Sequence, residues 1–389
     1  MTSAATLPDT NVTLDLIARE AGVSPSTVSR ILNGTARVSD DKRLAVEGTI
    51  ARFNFQPNLM ARSLALGHTQ TIGVLTQFIE SPFYGEALRG VEDALAETPY
   101  SPLFVSGHWN LKTEEARMRL LQARRVDGVI ILTGRLSDQQ LLKYAAHMPI
   151  VVTGRQLSAP RLVSVDVDDF DGARGATRHL LELGHTRIAF ITGPHDHPDA
   201  TERLRGYQQA LLDAGVALAP ELVVQADFME SGGMLAIDQL LESRENFTAV
   251  FAANDQMAYG ARLALYRRNI RVPEDISLIG FDDLPNSTYS MPPLTTVRQP
   301  VYDISRLAAQ AMLKLIAGEA ADIAAPPLEL VVRGVDPAPA TLARRSSVAR
   351  STRIFPHAHR QAWPRLGRAQ RRQGGHHADH TGAVRITTQ

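Results

Sequence analysis

Small hydroxyl groups and one guanidinium are concentrated between Ser24 and Asn33. Ser24 is a favourable helix N-cap, and Pro25 suits the first helical position, where its missing N–H is no loss. The helical period turns the apolar side chains inward and leaves four polar ones outward: Ser26, Thr27, Ser29 and Arg30. Side chains of these types hydrogen-bond to base edges and phosphates. The stretch therefore predicts a helix that reads DNA.

A shorter helix before this stretch would position it. Thr13 can cap that helix, and the apolar residues after it lie on one face: Leu14, Ile17 and Ala18. Gly22 then permits a tight turn, because glycine adopts left-handed backbone conformations at little cost. Two short helices joined in this way fit the major groove. Such pairs also occur in proteins that never touch DNA, so the motif alone leaves both interpretations open.

A third helix is predicted to complete a compact headpiece. It begins at Ser39, which would cap it, and Asp40 and Asp41 suit the positive end of its dipole. Asn54 can end the helix in a left-handed conformation. Its predicted buried stripe consists of Leu44, Val46, Ile50 and Phe53.

Beyond residue 70 the pattern changes to buried strands that alternate with amphipathic helices. Strands are predicted over 71–76, 101–106, 126–133 and 149–153, with helices over 83–97, 113–124 and 137–147. The pattern restarts after 164–168, with helices over 170–183, 201–214, 231–241 and 255–268 and strands over 187–192, 222–224, 249–253 and 276–281. Such alternation predicts two parallel-sheet subdomains with a cleft between them, where ligands lie at the carboxyl ends of strands.

Two polar residues follow strands in positions that would face this cleft. Asp282 follows the strand over 276–281, and Asn254 follows the strand over 249–253. Each has a purely structural alternative, since Asp282 could cap a turn with Asp283 and Asn254 could cap the next helix. Arg203 opens a predicted helical segment and would grip hydroxyl or carboxylate oxygens, or it could be a surface cation.

Residues 55–67 give the headpiece a family likeness. They contain the string Pro-Asn-x-x-Ala-Arg-Ser-Leu, and the whole N-terminal run resembles the lactose-repressor (LacI/GalR) family of bacterial regulators. The resemblance implies a hinge helix that folds on the operator, with Leu64 wedged into the minor groove. The DNA-binding residues that it implies, together with those above, are Thr13, Ser24, Pro25, Ser26, Thr27, Ser29, Arg30, Asn33, Asn58, Arg62 and Leu64.

The resemblance continues through the second part of the chain. Strings at 126–130, 183–191, 253–258, 275–283 and 292–299 are similar to the regulatory core of the family, which resembles periplasmic sugar-binding proteins. It implies that a small molecule is held by Phe83, Tyr84, Asp168, Arg203, Phe228, Asn254 and Asp282. Several of these have structural alternatives, in that the two phenylalanines could be plain core residues.

These observations divide the chain into five segments. They are an N-terminal extension (1–11), an all-α helix-turn-helix headpiece (12–57), a hinge helix (58–68), an α/β core of two similar parallel-sheet subdomains (69–337) and an Arg- and His-rich tail (338–389). The tail has ten arginines and one acid and is predicted to be disordered. It is either a dispensable extension or a nonspecific nucleic-acid-contacting arm.

Composition excludes several classes of function. The absence of cysteine excludes disulfides and cysteine metal sites. The sequence contains no apolar run long enough to span a membrane, and its N-terminal residues do not resemble a secretory signal. We expect a cytoplasmic protein. The spacing of His195 and His197 fits no standard metal site. No nucleotide-binding or nucleophile-elbow motif indicates an enzyme, so no catalytic residue, metal or cofactor is expected.

The sequence therefore predicts a ligand-responsive transcriptional regulator. We expect a homodimer that binds a pseudo-palindromic operator in double-stranded DNA and responds to a sugar or sugar acid, most simply as the repressor of an operon for its use. The alternative is a soluble sugar-binding protein without a DNA function.

Overall fold

The computed structural model describes residues 12–33, 38–55 and 67–333. Three helices form the N-terminal headpiece: α1 (Leu14–Glu20), α2 (Pro25–Asn33) and α3 (Asp40–Phe53). Their shared core is small, with Ile17, Ala18, Val28 and Val46 almost fully buried. Arg52 on α3 donates to the Glu20 carboxylate at 2.9 Å, and this links the first and third helices.

The local signals for the headpiece are largely confirmed. Thr13 caps α1 by accepting from the Leu16 N–H, Gly22 has a φ of 67°, and Asn54 is left-handed. Two of the predictions for α3 are wrong. Ser39 stands at the N-cap but its side chain makes no capping hydrogen bond, and Leu44 is 67% exposed. Leu44 lies two residues from Val46, which places it across the helix from the buried stripe, where Thr49 is buried instead.

The remainder of the described chain forms two α/β subdomains. Subdomain 1 is built on a five-stranded parallel sheet of order β2-β1-β3-β4-β5. Its elements are β1 (Thr71–Thr76), α4 (Pro82–Leu95), β2 (Ser101–Ser106), α5 (Leu111–Ala123), β3 (Gly128–Leu132), α6 (Asp138–Ala145), β4 (Ile150–Thr153), β5 (Leu162–Val165) and a later helix, α12 (Val301–Ile316).

Subdomain 2 has a six-stranded sheet of order β11-β10-β9-β8-β6-β7, parallel except for β11. Its elements are α7 (Asp169–Glu182), β6 (Ile188–Thr192), α8 (Pro198–Asp213), β7 (Val223–Gln225), α9 (Glu230–Glu242), β8 (Ala249–Ala252), α10 (Asp255–Arg267), β9 (Ser277–Asp282), α11 (Pro285–Tyr289), β10 (Thr295–Arg298) and β11 (Glu329–Val331). The prediction of two similar parallel-sheet subdomains is confirmed.

The sequence pattern misses the return of the chain to subdomain 1. Helix α12 comes after β10 of the second sheet but packs against α4 and against β3 and β4 of the first. The contact is close, because a Cβ at Gly90 of α4 would clash with the backbone carbonyl of Tyr302 on α12. The chain therefore crosses between the subdomains more than once. As a result, more than one segment joins the two subdomains that lie on either side of the cleft.

Within the described ranges no helix is long and apolar enough to cross a membrane.

Candidate functional site

The N-terminus of α2 presents the side chains that the sequence assigns to DNA. Ser24 caps the helix by accepting from the Thr27 N–H at 3.2 Å, and α2 begins at Pro25 as predicted. The Ser24 hydroxyl also lies 2.8 Å from that of Ser26 and 2.9 Å from that of Thr27. Ser24, Pro25, Ser26 and Arg30 are exposed. The arrangement leaves hydroxyl groups and one guanidinium at the surface, as groove contact requires.

The other predicted DNA-binding residues are placed less fully. Thr13 is exposed and is occupied as the cap of α1, while Thr27 and Ser29 are half-buried. Asn33 is the last residue of α2. Asn58, Arg62 and Leu64 lie outside the described residues, as do the N-terminal extension, most of the hinge and the tail.

A cavity of about 180 Å³ lies between the two subdomains. It is smaller than sites for drug-sized ligands, which run from about 300 Å³ upward. Subdomain 1 contributes Phe78, Ser81, Phe83, Tyr84, Trp109 and Thr133, and subdomain 2 contributes Pro194, His197, Asp199, Arg203, Asp227, Phe228, Met229, Asn254, Gln256 and Asp282. Six of the seven predicted effector residues are thus brought together.

Asp168 is the predicted effector residue that the structure does not bring to this cavity. It is exposed at the N-cap of α7, where its carboxylate accepts from the Asp171 N–H at 2.8 Å. The next residue, Asp169, is the one that turns inward. Its carboxylate accepts from Arg203 Nε at 2.7 Å, so the buried partner of Arg203 is one residue further along.

Arg203 is anchored by the protein itself. It lies in the second turn of α8, not at a helix start, and is 3% exposed. Besides Asp169, it donates to the Ala253 carbonyl at 2.6 Å and to Gln299 at 3.1 Å. The surface-cation alternative is therefore wrong, and the guanidinium supports the cavity wall as well as facing the cavity.

Asp282 ends β9 in a strained backbone conformation, with a φ of 116°. The residue is 6% exposed, and Arg203 Nη1 lies 3.6 Å from its carboxylate. Burial raises the pKa of Asp282 well above its usual value, against the opposing effect of Arg203. Strain of this kind is characteristic of functional sites.

Asn254 caps a helix, as the structural alternative predicts, and also lines the cavity. Its side-chain oxygen caps α10 by accepting from the Met257 N–H at 2.9 Å. Its amide group donates to the Phe228 carbonyl at 2.9 Å. The backbone of Phe228 is in the left-handed region, with a φ of 68°. The Phe228 ring lies over Gly193, where a Cβ would leave no room for it. Asn254 thus lines the cavity and positions one of its aromatic walls.

An aromatic stack that crosses the cleft was missed from the sequence. Trp109, in the turn after β2, is stacked on His197 at 4.0 Å with an angle of 7° between the rings. The His197 ring meets Phe228 edge-on at 5.0 Å. Burial, together with Arg203, lowers the pKa of His197 to about 3, so the imidazole is neutral near pH 7. Both residues lie in loops that follow the carboxyl ends of strands facing the cleft, and this position in the sequence was the signal that could have identified them.

Two polar contacts also join the subdomains across the cleft. The Ser81 hydroxyl donates to Gln256 at 2.9 Å, and Arg135 forms an ion pair with Asp196. The second contact is beside His197 in the loop after β6. These contacts bridge the two walls of the cavity and would have to break if the subdomains separated.

The described residues contain no cluster of His, Cys, Asp and Glu able to hold a metal ion.

Comparison with known proteins matches both regions. The model of "Bacterial regulatory proteins, lacI family" matches residues 13–58, and that of "Periplasmic binding protein-like domain" matches residues 177–334. The transcriptional regulator GalR of Escherichia coli K12 is 37% identical over 338 residues, or 87% of this chain and 96% of the relative. Catabolite control protein A of Priestia megaterium is 34% identical over 314 residues, or 80% and 95% of the two chains.

Solved structures agree with these relatives. The lac repressor dimer bound to operator and the anti-inducer ONPF has a TM-score of 0.76 at 30% identity, with 84% of this chain and 99% of that chain covered. The complex of the regulator CelR with cellobiose has a TM-score of 0.62 at 34% identity, with 84% and 100% covered. The helix-turn-helix headpiece, the periplasmic-binding-protein-like core and these relatives together show that the chain belongs to the LacI family of DNA-binding transcriptional regulators.

Proposed function

We propose that the protein is a ligand-responsive repressor of an operon for the use of a carbohydrate or sugar acid. The observation that carries this proposal is the cavity between the subdomains, whose wall comes from both and places the aromatic rings of Phe78, Phe83, Tyr84, Trp109 and Phe228 beside polar and charged side chains. Aromatic walls with hydrogen-bonding groups among them are typical of small-molecule sites. The relatives include a ribose operon repressor and a cellobiose complex, which supports a sugar as the effector.

The DNA-binding unit in this proposal is a homodimer on a pseudo-palindromic operator. Symmetric headpieces require symmetric half-sites, and the lac repressor relative is a dimer on its operator. Ser26 and Arg30 contact base edges, with Pro25 fixing the start of the reading helix. Asn58, Arg62 and Leu64 remain proposed hinge contacts. The protein acts in the cytoplasm as a regulator and not as an enzyme.

Control of DNA binding arises from the cleft. An effector that binds one arrangement of the subdomains better than another shifts the population between them. The shift is bounded by the difference in affinity, and coupling free energies of about 1–3 kcal/mol are typical. Ser81–Gln256, Trp109–His197 and Arg135–Asp196 are the contacts that distinguish a closed cleft from an open one.

Selection from a pool of random duplex DNA with the full-length protein tests this function. We expect an enriched pseudo-palindrome, followed by a change in its affinity when a sugar or sugar acid is added in a fluorescence-anisotropy titration. Enrichment of no sequence would contradict the proposal. Sugar binding without sequence preference would instead favour a sugar-binding protein that has no DNA function.

A further inference from the structure

Three largely buried carboxylates lie near one guanidinium at the inner wall of the cavity: Asp199 and Asp282 line the cavity itself, and Asp169 lines a smaller pocket beside it. The side chains of Asp169 and Asp282 are 7% and 5% exposed, that of Asp199 is 18% exposed, and that of Arg203 is 4% exposed. Arg203 donates directly to Asp169 at 2.7 Å and so neutralises that carboxylate. The other two carboxylates are left with less compensation.

Asp199 and Asp282 both line the cavity, and no described side chain donates a hydrogen bond to either carboxylate. The nearest cation to Asp282 is Arg203 Nη1 at 3.6 Å, beyond a good hydrogen bond. Asp199 lies 3.7 Å from His197 Nδ1, and its carboxylate accepts from its own backbone N–H. Burial of acceptors with so few partners is costly, and donor groups of a ligand would satisfy these two side chains.

Neighbouring cations are occupied elsewhere. The Arg155 guanidinium donates to Asp138 and to the carbonyls of Leu136 and Gly134. Arg135 is paired with Asp196 across the cleft. His197 adds no charge, because burial lowers its pKa to about 3. The inner wall therefore carries more carboxylates than cations.

We infer that the effector is a hydrogen-bond-donating polyol without negative charge, and that Asp199 is the residue that excludes sugar acids and sugar phosphates. This inference rests on the proposed function and narrows its effector. Hydroxyl or ammonium groups would donate to Asp199 and Asp282, while Trp109 and Phe228 cover the apolar ring faces. A carboxylate or phosphate would place one more uncompensated charge beside them.

Thermal unfolding of the unliganded full-length protein at pH 7.5 tests the charge excess without knowledge of the ligand. Asp199→Asn should raise Tm by about 2 °C or more, since it removes one buried unpaired charge. Asp199 lies in the first turn of α8, where the helix dipole favours a negative charge, so a gain requires the repulsion to exceed that effect.

Asp171→Asn is the matched control. Asp171 also lies in the first turn of a helix, but its side chain is 67% exposed. We expect its Tm to be unchanged or slightly lower. A Tm for Asp199→Asn that is unchanged or lower, as in the control, would overturn the inference.

A ligand panel tests the exclusion directly. Glucose, galactose, ribose and cellobiose would be compared with glucosamine, with glucuronate and galacturonate, and with the sugar phosphates, by thermal shift and calorimetry. We expect stabilisation by neutral or amino sugars alone, and at least a tenfold loss of discrimination against acids in Asp199→Asn.

Stronger binding of an acid or phosphate than of its neutral parent to the wild type would overturn the inference. If no probe stabilises the protein, the unfolding comparison decides. Failure of the proposed function would appear separately, as a lack of sequence preference in the DNA selection.

Discussion

The headpiece and the cleft obtain their polar side chains in opposite ways. The proposed reading surface comes from one short stretch around α2, and its groups are exposed and partly bonded to one another. The cavity draws residues from Phe78 to Asp282, all but Asp227 partly or fully buried, on several loops of two sheets. A surface of the first kind can be altered at little cost in stability, whereas the second contributes to the fold.

Arg203→Ala should show this difference most strongly. The change removes the partner of buried Asp169 and Asp282, and breaking a buried pair in this way typically costs about 3–5 kcal/mol. Urea denaturation should show the loss of stability. Arg205→Ala, two residues along α8 with a 59% exposed side chain, is the matched control and should unfold like the wild type. Equal stability of both variants would contradict a structural role for Arg203.

The stability of the core should also depend on pH. Burial raises the pKa of Asp255 to about 7, although Leu284, Ser287 and Thr296 donate to its carboxylate. The folded state favours the protonated acid, so its contribution is fully present below the unfolded pKa of about 3.9 and is lost as pH rises towards 7. A tenfold change in the dissociation constant of an acid corresponds to about 1.4 kcal/mol of free energy.

Asp255→Asn should therefore flatten the decrease in unfolding free energy between pH 4 and about pH 7, measured by urea denaturation. Asp199 and Asp282 act in the same direction, so part of the slope should remain. Asp238→Asn, at an exposed ion pair with Arg268, is the control and should keep the wild-type slope. An unchanged slope in Asp255→Asn would show that this carboxyl does not titrate in that range.

Arg30→Ala should weaken the recognition of DNA and leave the stability of the protein unchanged, in contrast to Arg203→Ala. Loss of a base contact costs about 1–3 kcal/mol and relaxes discrimination at one base pair in each half-site. The unfolding midpoint should not change, since Arg30 is exposed. Selection from random DNA provides the measurement, with exposed Arg178→Ala in α7 as control. Full specificity in the Arg30 variant would remove it from the reading surface.

The smallest expected effect is a difference in stability between two truncations within α3. Val46 is fully buried and Leu44 is 67% exposed, although the sequence predicts both as buried. Val46→Ala removes two buried methyl groups and should cost about 2 kcal/mol in urea denaturation of the headpiece transition. Leu44→Ala should cost less than about 0.5 kcal/mol. Similar losses would mean that Leu44 is packed against the headpiece.

Sequence patterns predict the headpiece well because its signals are local. Caps, the Gly22 turn and the Asn54 terminus each depend on residues within one turn of a helix. The β/α alternation likewise predicts both sheets. It does not predict that α12 returns to subdomain 1, because that choice is made by packing against α4, far away in the sequence.

The cavity is only partly predictable for the same reason. Asp282 and Asn254 follow strands, and the family likeness supplies Phe83, Tyr84 and Phe228. Trp109 and His197 meet only when the two subdomains close, so no single segment indicates their stack. Asp168 and Asp169 differ by one residue, and the capping geometry of α7 decides which carboxylate turns inward.

We propose that the arrangement of the two subdomains around the cleft controls DNA binding, and a cross-link across the cleft would test this control. The chain has no cysteine, so Ser81→Cys with Gln256→Cys would give two unique thiols at a native cross-cleft contact. Oxidation of the two thiols to a disulfide would hold the cleft closed, with each single-cysteine variant as control. Fluorescence anisotropy on the selected operator should show a change of about fivefold or more in affinity on cross-linking. Identical operator affinity for the cross-linked and free double variants would contradict the account.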